Sequence, residues 1–423
     1  MKIAMFTNTY KPHVGGVAKS VHALAETLRE MGHSVMVVAP TFPDTEVDFN
    51  PESEVIRLPA LQNFNGSDFS VRLPAPFALT SVLDEFQPEL IHSHHPFLLG
   101  DTAIRMARRY DVPLVFTHHT RYEHYTHYVS LESQSMRTFA SQLAVEYSNL
   151  CDGVIVPSES MQELLLNRGI KVPISVVPTG VDVQKFAQHD ATAWRKQLQL
   201  PDKVQLLGHV GRLAEEKNLE YLSHCVAAVL EKCPDAHFVI AGDGSYREQL
   251  SDYFDDKSLA DRVSFCGVLQ GQELVDFYAA LDLFLFASVS ETQGMVLAEA
   301  MAAGTPVIAL DAPGAREVVN DQNGRLLDTD ASEEIFANSV AEELQLLQGD
   351  SDKQKMAKKT AQLFSQSNCA ESMLAFYRQR IDQFQQERND AMPEALETVI
   401  NAIKVEWELV GQKAEALART LDK

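Results

Sequence analysis

An α/β architecture of two doubly wound domains is what this sequence predicts, and three observations lead there. Short apolar, β-branched runs alternate with longer stretches of helical period, the pattern of parallel strands joined by crossover helices. The alternation runs twice along 423 residues, enough chain for two large domains or three small ones. Between the two runs, near residues 180–202, the chain turns polar before the pattern restarts. Apolar side chains make up 45% and charged ones 22%, with 20 Gly and 18 Pro, a composition that supplies real cores and excludes disorder and fibrous repeats.

The elements follow in order. Residues 3–6 read as a strand, a polar loop with Gly15-Gly16 comes next, and Val17, Val21, Leu24, Ala25 and Leu28 recur at helical spacing until Gly32 stops the helix. Residues 35–38 start the next strand, and 90–91, 112–116, 154–156 and 174–177 continue the sheet. This first Rossmann-like domain is placed at 1–185. A second sheet is read from 205–210, 238–241, 263–265, 283–286 and 307–310, which places a second Rossmann-like domain at 200–372. Two such domains are expected to face a central cleft at the carboxyl ends of their strands, where open α/β sheets bind ligands. From about Ser332 the chain turns helical, with a helix at 373–390 that can cross back to the first domain. Pro393 sets off a further mixed-charge helix at 394–423, whose Leu396, Val399, Ile400, Ile403, Trp407 and Val410 keep one apolar stripe. Acidic residues interrupt its polar face, which favours docking on protein over membrane binding.

Charge and cysteine content narrow the function classes. With 36 basic against 59 acidic residues the net charge is −23, so general electrostatic wrapping of nucleic acid is excluded and an anionic ligand must meet local cations. The five cysteines are scattered, which spells neither a disulfide framework nor a zinc knuckle and fits reduced cytosolic thiols. The amino terminus turns polar after about six residues, and no run approaches the ~20 apolar residues of a membrane span. A cytoplasmic protein, able to attach peripherally to the inner face of a membrane, is the expectation.

Several groups could carry chemistry. Gly15 and Gly16 sit between the first strand and helix, where amides can face a phosphate, although a Gly-Gly pair is also an ordinary tight turn and lacks dinucleotide spacing. Arg212 and Lys217 follow the first strand of the second domain. They are either solvated cations or a fork and a mobile point charge for a diphosphate leaving group. Glu291, Thr292, Gln293, Gly294, Met295, Val296 and Glu299 open a helix. On a continuous helix the two carboxylates stand ~80° apart and about two turns along, with amides at 294–296 available to phosphate oxygens. Glu299 lies among apolar residues and needs a partner.

Half of the fourteen histidines fall in one region, as His92, His94, His95, His118, His119, His124 and His127. No acidic or cysteine ligand stands at zinc spacing, so polar contacts to a hydroxyl-rich substrate are favoured over chelation. Tyr122, Tyr125, His127 and Tyr128 bring polar-tipped aromatics beside His119, suited to an interface or to packing of a loop on its own domain. Asp328-Thr329-Asp330 reads as a turn or cap, so no metal-bridged diphosphate is expected.

As an ordered set, Gly15-Gly16-Val, Gly211-Arg212 with Lys217, Gly242-Asp243-Gly244, Glu291 through Glu299, and Gly304-Thr-Pro-Val resemble the retaining glycosyltransferases of the GT-B fold, family 4 type, over about residues 1–385. That resemblance implies Arg212 and Lys217 on the donor diphosphate, Glu299 on the ribose and Glu291 on the donor sugar. Gly16 would lie beside the phosphates, and His119 matches the active-site histidine. Gly15, Gly242, Gly244, Val268 and residues 292–296 would complete the donor site. It implies front-side transfer of sugar from a nucleotide-sugar co-substrate without an obligatory metal or other cofactor.

Within the family, His92-Ser-His94-His95-Pro, residues 117–128 and Ser290-Glu-Thr-Gln-Gly are similar to the branch that glucosylates diacylglycerol. This implies UDP-glucose as donor and a membrane lipid as acceptor, with Tyr122, Tyr125, His127 and Tyr128 on the acceptor side. A soluble or polysaccharide acceptor, a GT-B-type nucleotide-sugar epimerase and a non-catalytic nucleotide-sugar sensor are the alternatives. Donor base, sugar and oligomeric state stay open at this stage.

Overall fold

The computed structural model describes residues 1–13, 15–43, 45–61, 71–72, 76–121, 134–201, 203–347 and 352–389. It divides into two compact units, Met1–Gly180 with the chain from Cys369 onward, and Val181–Asn368.

The first unit runs β1 (Lys2–Phe6), α1 (Gly16–Glu30), β2 (Ser34–Pro40), β3 (Val55–Leu58), β4 (Ala60–Leu61), β5 (Val71–Arg72), α2 (Pro76–Phe86), β6 (Leu90–Ser93) and α3 (Leu99–Tyr110). It continues with β7 (Leu114–Thr117), α4 (Gln134–Asn149), β8 (Gly153–Val156), α5 (Glu159–Asn167) and β9 (Ile174–Val176). Seven strands form a parallel sheet in the order β3-β2-β1-β6-β7-β8-β9, with β4 and β5 a separate antiparallel pair. The sequence reading expected this alternation but not β3. Its Arg57 breaks a run of only four residues.

Period-two burial explains the double winding. In β1, Ala4 and Phe6 enter the core that holds Leu99, Ile104 and Tyr147, whereas Ile3 and Met5 enter the opposite core with Val21, Ala25 and Leu28 of α1. All four strand residues are fully buried, each contributing on the order of 1–3 kcal/mol through removal from water. The opposite core is completed by Ala370, Met373, Leu374, Phe376 and Tyr377. These belong to α14 (Gln366–Asn389), the last described helix, which starts earlier than the expected residue 373. Gly153 in β8 permits the close approach of α14, since a Cβ there would lie 2.7 Å from the Phe376 ring and 2.9 Å from Arg380 Cδ.

The second unit runs α6 (Val183–Phe186), α7 (Ala191–Gln197), β10 (Gln205–Val210), α8 (Leu219–Lys232), β11 (Ala236–Ala241), α9 (Arg247–Asp256), β12 (Val263–Gly267) and α10 (Gly271–Ala280). It closes with β13 (Leu283–Phe286), α11 (Met295–Ala303), β14 (Val307–Leu310), β15 (Gly324–Leu327), α12 (Glu333–Leu347) and α13 (Asp352–Leu363). Six parallel strands take the order β12-β11-β10-β13-β14-β15. Leu206 and Leu207 point to opposite cores. Residues 324–327, which the sequence reading did not assign to a strand, are the edge strand β15: Gly324 allows close pairing, because a Cβ would meet the Val307 carbonyl oxygen at 2.1 Å. At Asp328 the backbone makes a turn, its carbonyl accepting from the Ala331 amide at 3.0 Å. The 394–423 segment lies outside the described residues.

Candidate active site

In the second unit, the carboxyl ends of β10, β11 and β13 gather the donor-type residues. After β10 the chain passes Gly211-Arg212 into a 3₁₀ turn, Glu215–Lys217. Two glycines make the packing of this loop possible. A Cβ on Gly242 would lie 1.9 Å from the Gly211 carbonyl oxygen, and one on Gly244 2.3 Å from that of Leu213. Backbone bonds from Gly211 N to Ala241 O at 3.0 Å and from Leu213 N to Asp243 O at 2.9 Å lace the two loops together. Gly242 and Gly244 thus shape the loop that carries Arg212 and Lys217.

Lys217 Nζ donates to Glu291 Oε1 at 2.6 Å, and the two side chains retain 20% and 18% of their exposure. Arg212 pairs with Glu216 and is more open, at 40%. Glu216 is held in turn by Ser290, whose hydroxyl donates to its carbonyl at 2.8 Å. Asn218, in the left-handed region, donates its amide to the Ala287 carbonyl at 3.1 Å. The loop after β10 is therefore stitched to the loop after β13, bringing two cations and a carboxylate to one edge. Val268, 61% exposed, follows the end of β12.

Glu291 and Glu299 do not share a helix, contrary to the eight-residue helical geometry expected from sequence. Gly294 takes φ +67°, a left-handed conformation open to glycine, and α11 begins only at Met295. Glu291, Thr292 and the buried Gln293 therefore lie in the loop before the helix. The amides of Met295 and Val296 belong to the first turn, which has no intrahelical acceptor and carries the positive dipole end. Glu299 projects from the next turn, half-buried, and accepts from the Tyr278 hydroxyl at 2.9 Å. Burial and the Glu299 charge push the Tyr278 hydroxyl well above its ordinary range, so it remains a donor. Sequence reasoning asked for a partner to Glu299 but did not find Tyr278, which lies in α10 among ordinary core residues.

His209, in β10, is buried beside the loop after that strand. Its Nδ1 meets the Leu285 carbonyl at 3.1 Å, and burial lowers its pKa to about 4.

In the first unit, Gly15 caps α1 and Gly16 opens it, with no atom within 4 Å of a Cβ placed on Gly16. The histidines cluster at the carboxyl ends of β6 and β7, where the register pairs His92 with Val115 and Ser93 with Phe116. His92 is fully buried, its Nε2 against Thr117 Oγ1 at 2.7 Å and its Nδ1 against Tyr377 Oη at 2.6 Å. His94 Nδ1 meets His119 Nε2 at 2.9 Å. His95 Nδ1 accepts from the Asn8 amide at 3.1 Å. Burial holds His92 and His95 down to about 3 and His94 and His119 well below their ordinary range, so all four are neutral at pH 7. Among the described residues no three His, Cys, Asp or Glu side chains are arranged to hold a metal ion. Tyr122, Tyr125, His127 and Tyr128 lie outside the described residues.

Two parallel, doubly wound sheets are the arrangement of the GT-B fold, and the second carries paired cations and carboxylates beside a helix amino terminus. The model of Glycosyltransferase Family 4 matches residues 14–185, and that of Glycosyl transferases group 1 matches 190–363. The alpha-monoglucosyldiacylglycerol synthase of Streptococcus pneumoniae is 32% identical over 327 residues, 76% of this chain and 74% of that one. A GDP-mannose-dependent alpha-mannosyltransferase of Corynebacterium glutamicum is 31% identical, over 78% of this chain and 77% of its own. Anabaena HepE, crystallised with UDP, shares the fold at TM-score 0.69 and 22% identity, covering 90% of this chain and 100% of that one. The chain belongs to glycosyltransferase family 4.

Proposed function

We propose that this enzyme transfers glucose from UDP-glucose to a membrane lipid such as diacylglycerol, retaining the α configuration and needing no metal. The carrying observation is the likeness to the monoglucosyldiacylglycerol synthase along most of both chains. Lys217 and Arg212 neutralise the diphosphate as the bond from sugar C1 to its phosphate oxygen breaks, and the first-turn amides of α11 cap phosphate oxygens. Glu299 accepts from ribose hydroxyls, Glu291 from the sugar, and His119 makes a catalytic hydrogen bond to the substrate. The acceptor hydroxyl attacks C1 on the face the phosphate leaves, and its proton passes to the departing phosphate oxygen. No side chain has to become a covalent nucleophile. Tyr122, Tyr125, His127 and Tyr128 supply amphipathic side chains for acceptor and membrane surface.

The likeness to the mannosyltransferase favours a second reading, GDP-mannose as donor with the same residue roles. Thermal-shift measurements against both nucleotide sugars separate the two, since a ligand at 100 times its Kd stabilises by about 2.7 kcal/mol. The acceptor is decided by assaying diacylglycerol in mixed micelles beside soluble sugars. Transfer to soluble sugar with none to lipid overturns the lipid assignment, and an altered nucleotide sugar formed without acceptor points to an epimerase.

A further inference from the structure

We infer that His94 is a positioning residue that fixes the tautomer of His119, donating from its Nδ1–H to His119 Nε2 and leaving the His119 proton on Nδ1. The inference rests on the reading of His119 as a catalytic hydrogen-bonding group and deepens it.

Two ring nitrogens 2.9 Å apart need one donor and one acceptor, because two lone pairs would repel and two N–H groups would clash. Both rings are neutral, so each carries a single proton. The choice is settled at the far side of His94. That ring is 1% exposed, and its Nε2 is buried with no partner. A proton on Nε2 would therefore be an orphaned buried N–H, the rarer and costlier defect, whereas an orphaned lone pair forgoes less. His94 thus carries its proton on Nδ1 and His119 must accept it at Nε2. His119 can then only donate, from Nδ1.

The surroundings hold the His94 ring in place. His92 lies against it with ring centroids 4.0 Å apart, and His92 is itself pinned at both nitrogens, by Thr117 and by Tyr377 of α14. The His94 backbone amide is anchored on the Phe6 carbonyl at 2.9 Å. Among the described residues, His92 and His95 oppose a second positive charge on the pair, and His118 opposes one on His119. His119 so held is a hydrogen-bond donor and not a general base, which suits a reaction whose acceptor proton leaves with the phosphate.

The test is nitrogen–proton correlation spectra of the whole protein labelled with ¹⁵N-histidine, with the His119 signals assigned by their loss in His119→Ala. The expected pattern is a protonated Nδ1 and a bare Nε2. A protonated His119 Nε2 overturns the inference. In parallel, His94→Leu should lower kcat about 100-fold, the scale of a misoriented catalytic group, with donor KM unchanged. His94→Asn, whose amide N–H replaces Nδ1–H, should recover most of that loss. His94→Asp, an acceptor, should not recover it and should add a neutral-range ionisation to the pH profile. If Asp rescues as well as Asn, the inference fails. If His119→Ala leaves kcat intact, the catalytic reading of His119 fails, while the spectra still decide the hydrogen bond. Should His94→Leu not fold, the Asn and Asp variants and the spectra carry the decision.

Discussion

Replacing Lys217 with Ala probes the site where two effects meet. The ammonium is 2.6 Å from Glu291 and both side chains are about four-fifths covered, so the change removes the charge proposed for the diphosphate and strands a carboxylate. Losing a preorganised charge partner for a leaving group slows turnover by about 100-fold, or ~2.7 kcal/mol. If Glu291→Ala costs a similar amount, independent action would put the double variant at about 10⁴-fold. Contacting partners couple by roughly 0.5–3 kcal/mol. A coupling near 1.4 kcal/mol would bring the double variant to about 10³-fold. The assay is kcat at saturating donor for the four proteins of the cycle, with thermal melting to confirm folding. Near-normal turnover in Lys217→Ala refutes the leaving-group role, and strict multiplicativity refutes the pair as a unit.

Glu299→Ala should raise the donor Kd with little change in kcat, because ribose contacts are alike in ground and transition states. Tyr278→Phe removes a hydrogen bond to a charged group, ~1.5–3 kcal/mol, and should raise donor Kd by about tenfold; unchanged affinity in both variants refutes the ribose role. Activity should persist in EDTA, and proton NMR of fresh product should show an α linkage. Chelator loss restored by a divalent ion, or a β linkage, would sink the mechanism. Because burial depresses His92 and His95 to about 3, the unfolded chain takes up protons that the folded chain refuses. Their stability contribution is complete above about pH 6.5 and falls as pH drops toward 3, by about 1.4 kcal/mol per pH unit for each histidine. Urea midpoints that stay flat between pH 6.5 and 5 contradict this.

The fold was legible because parallel strands buried on both faces read as short apolar runs, as 205–210 and 307–310 do. Strands β3 and β15 were not, since a glycine or arginine at a sheet edge carries no apolar period. The candidate residues were legible as an ordered set, from Arg212 and Lys217 to Glu299. Their partners were not: Lys217 and Glu291 are 74 residues apart, and nothing in sequence couples them. Tyr278, Tyr377 and His209 resemble core residues until the structure shows what their polar atoms touch. The helical spacing drawn from Glu291 to Glu299 failed at Gly294, where one left-handed residue resets the direction of the chain.

The return of α14 to the first sheet has a consequence for biosynthesis. One face of that sheet, with Ile3, Met5, Val37 and Val115, is completed by Met373, Phe376 and Tyr377. On the ribosome this face must wait until all of 181–368 has been made. At roughly 5–20 residues per second, about 190 residues take on the order of 10–40 s. Through that interval the nascent first unit exposes an apolar strip and lacks the hydroxyl that meets His92. Chains stopped before residue 366 should therefore associate with chaperones or aggregate, whereas the second unit, continuous in sequence, can fold as it emerges.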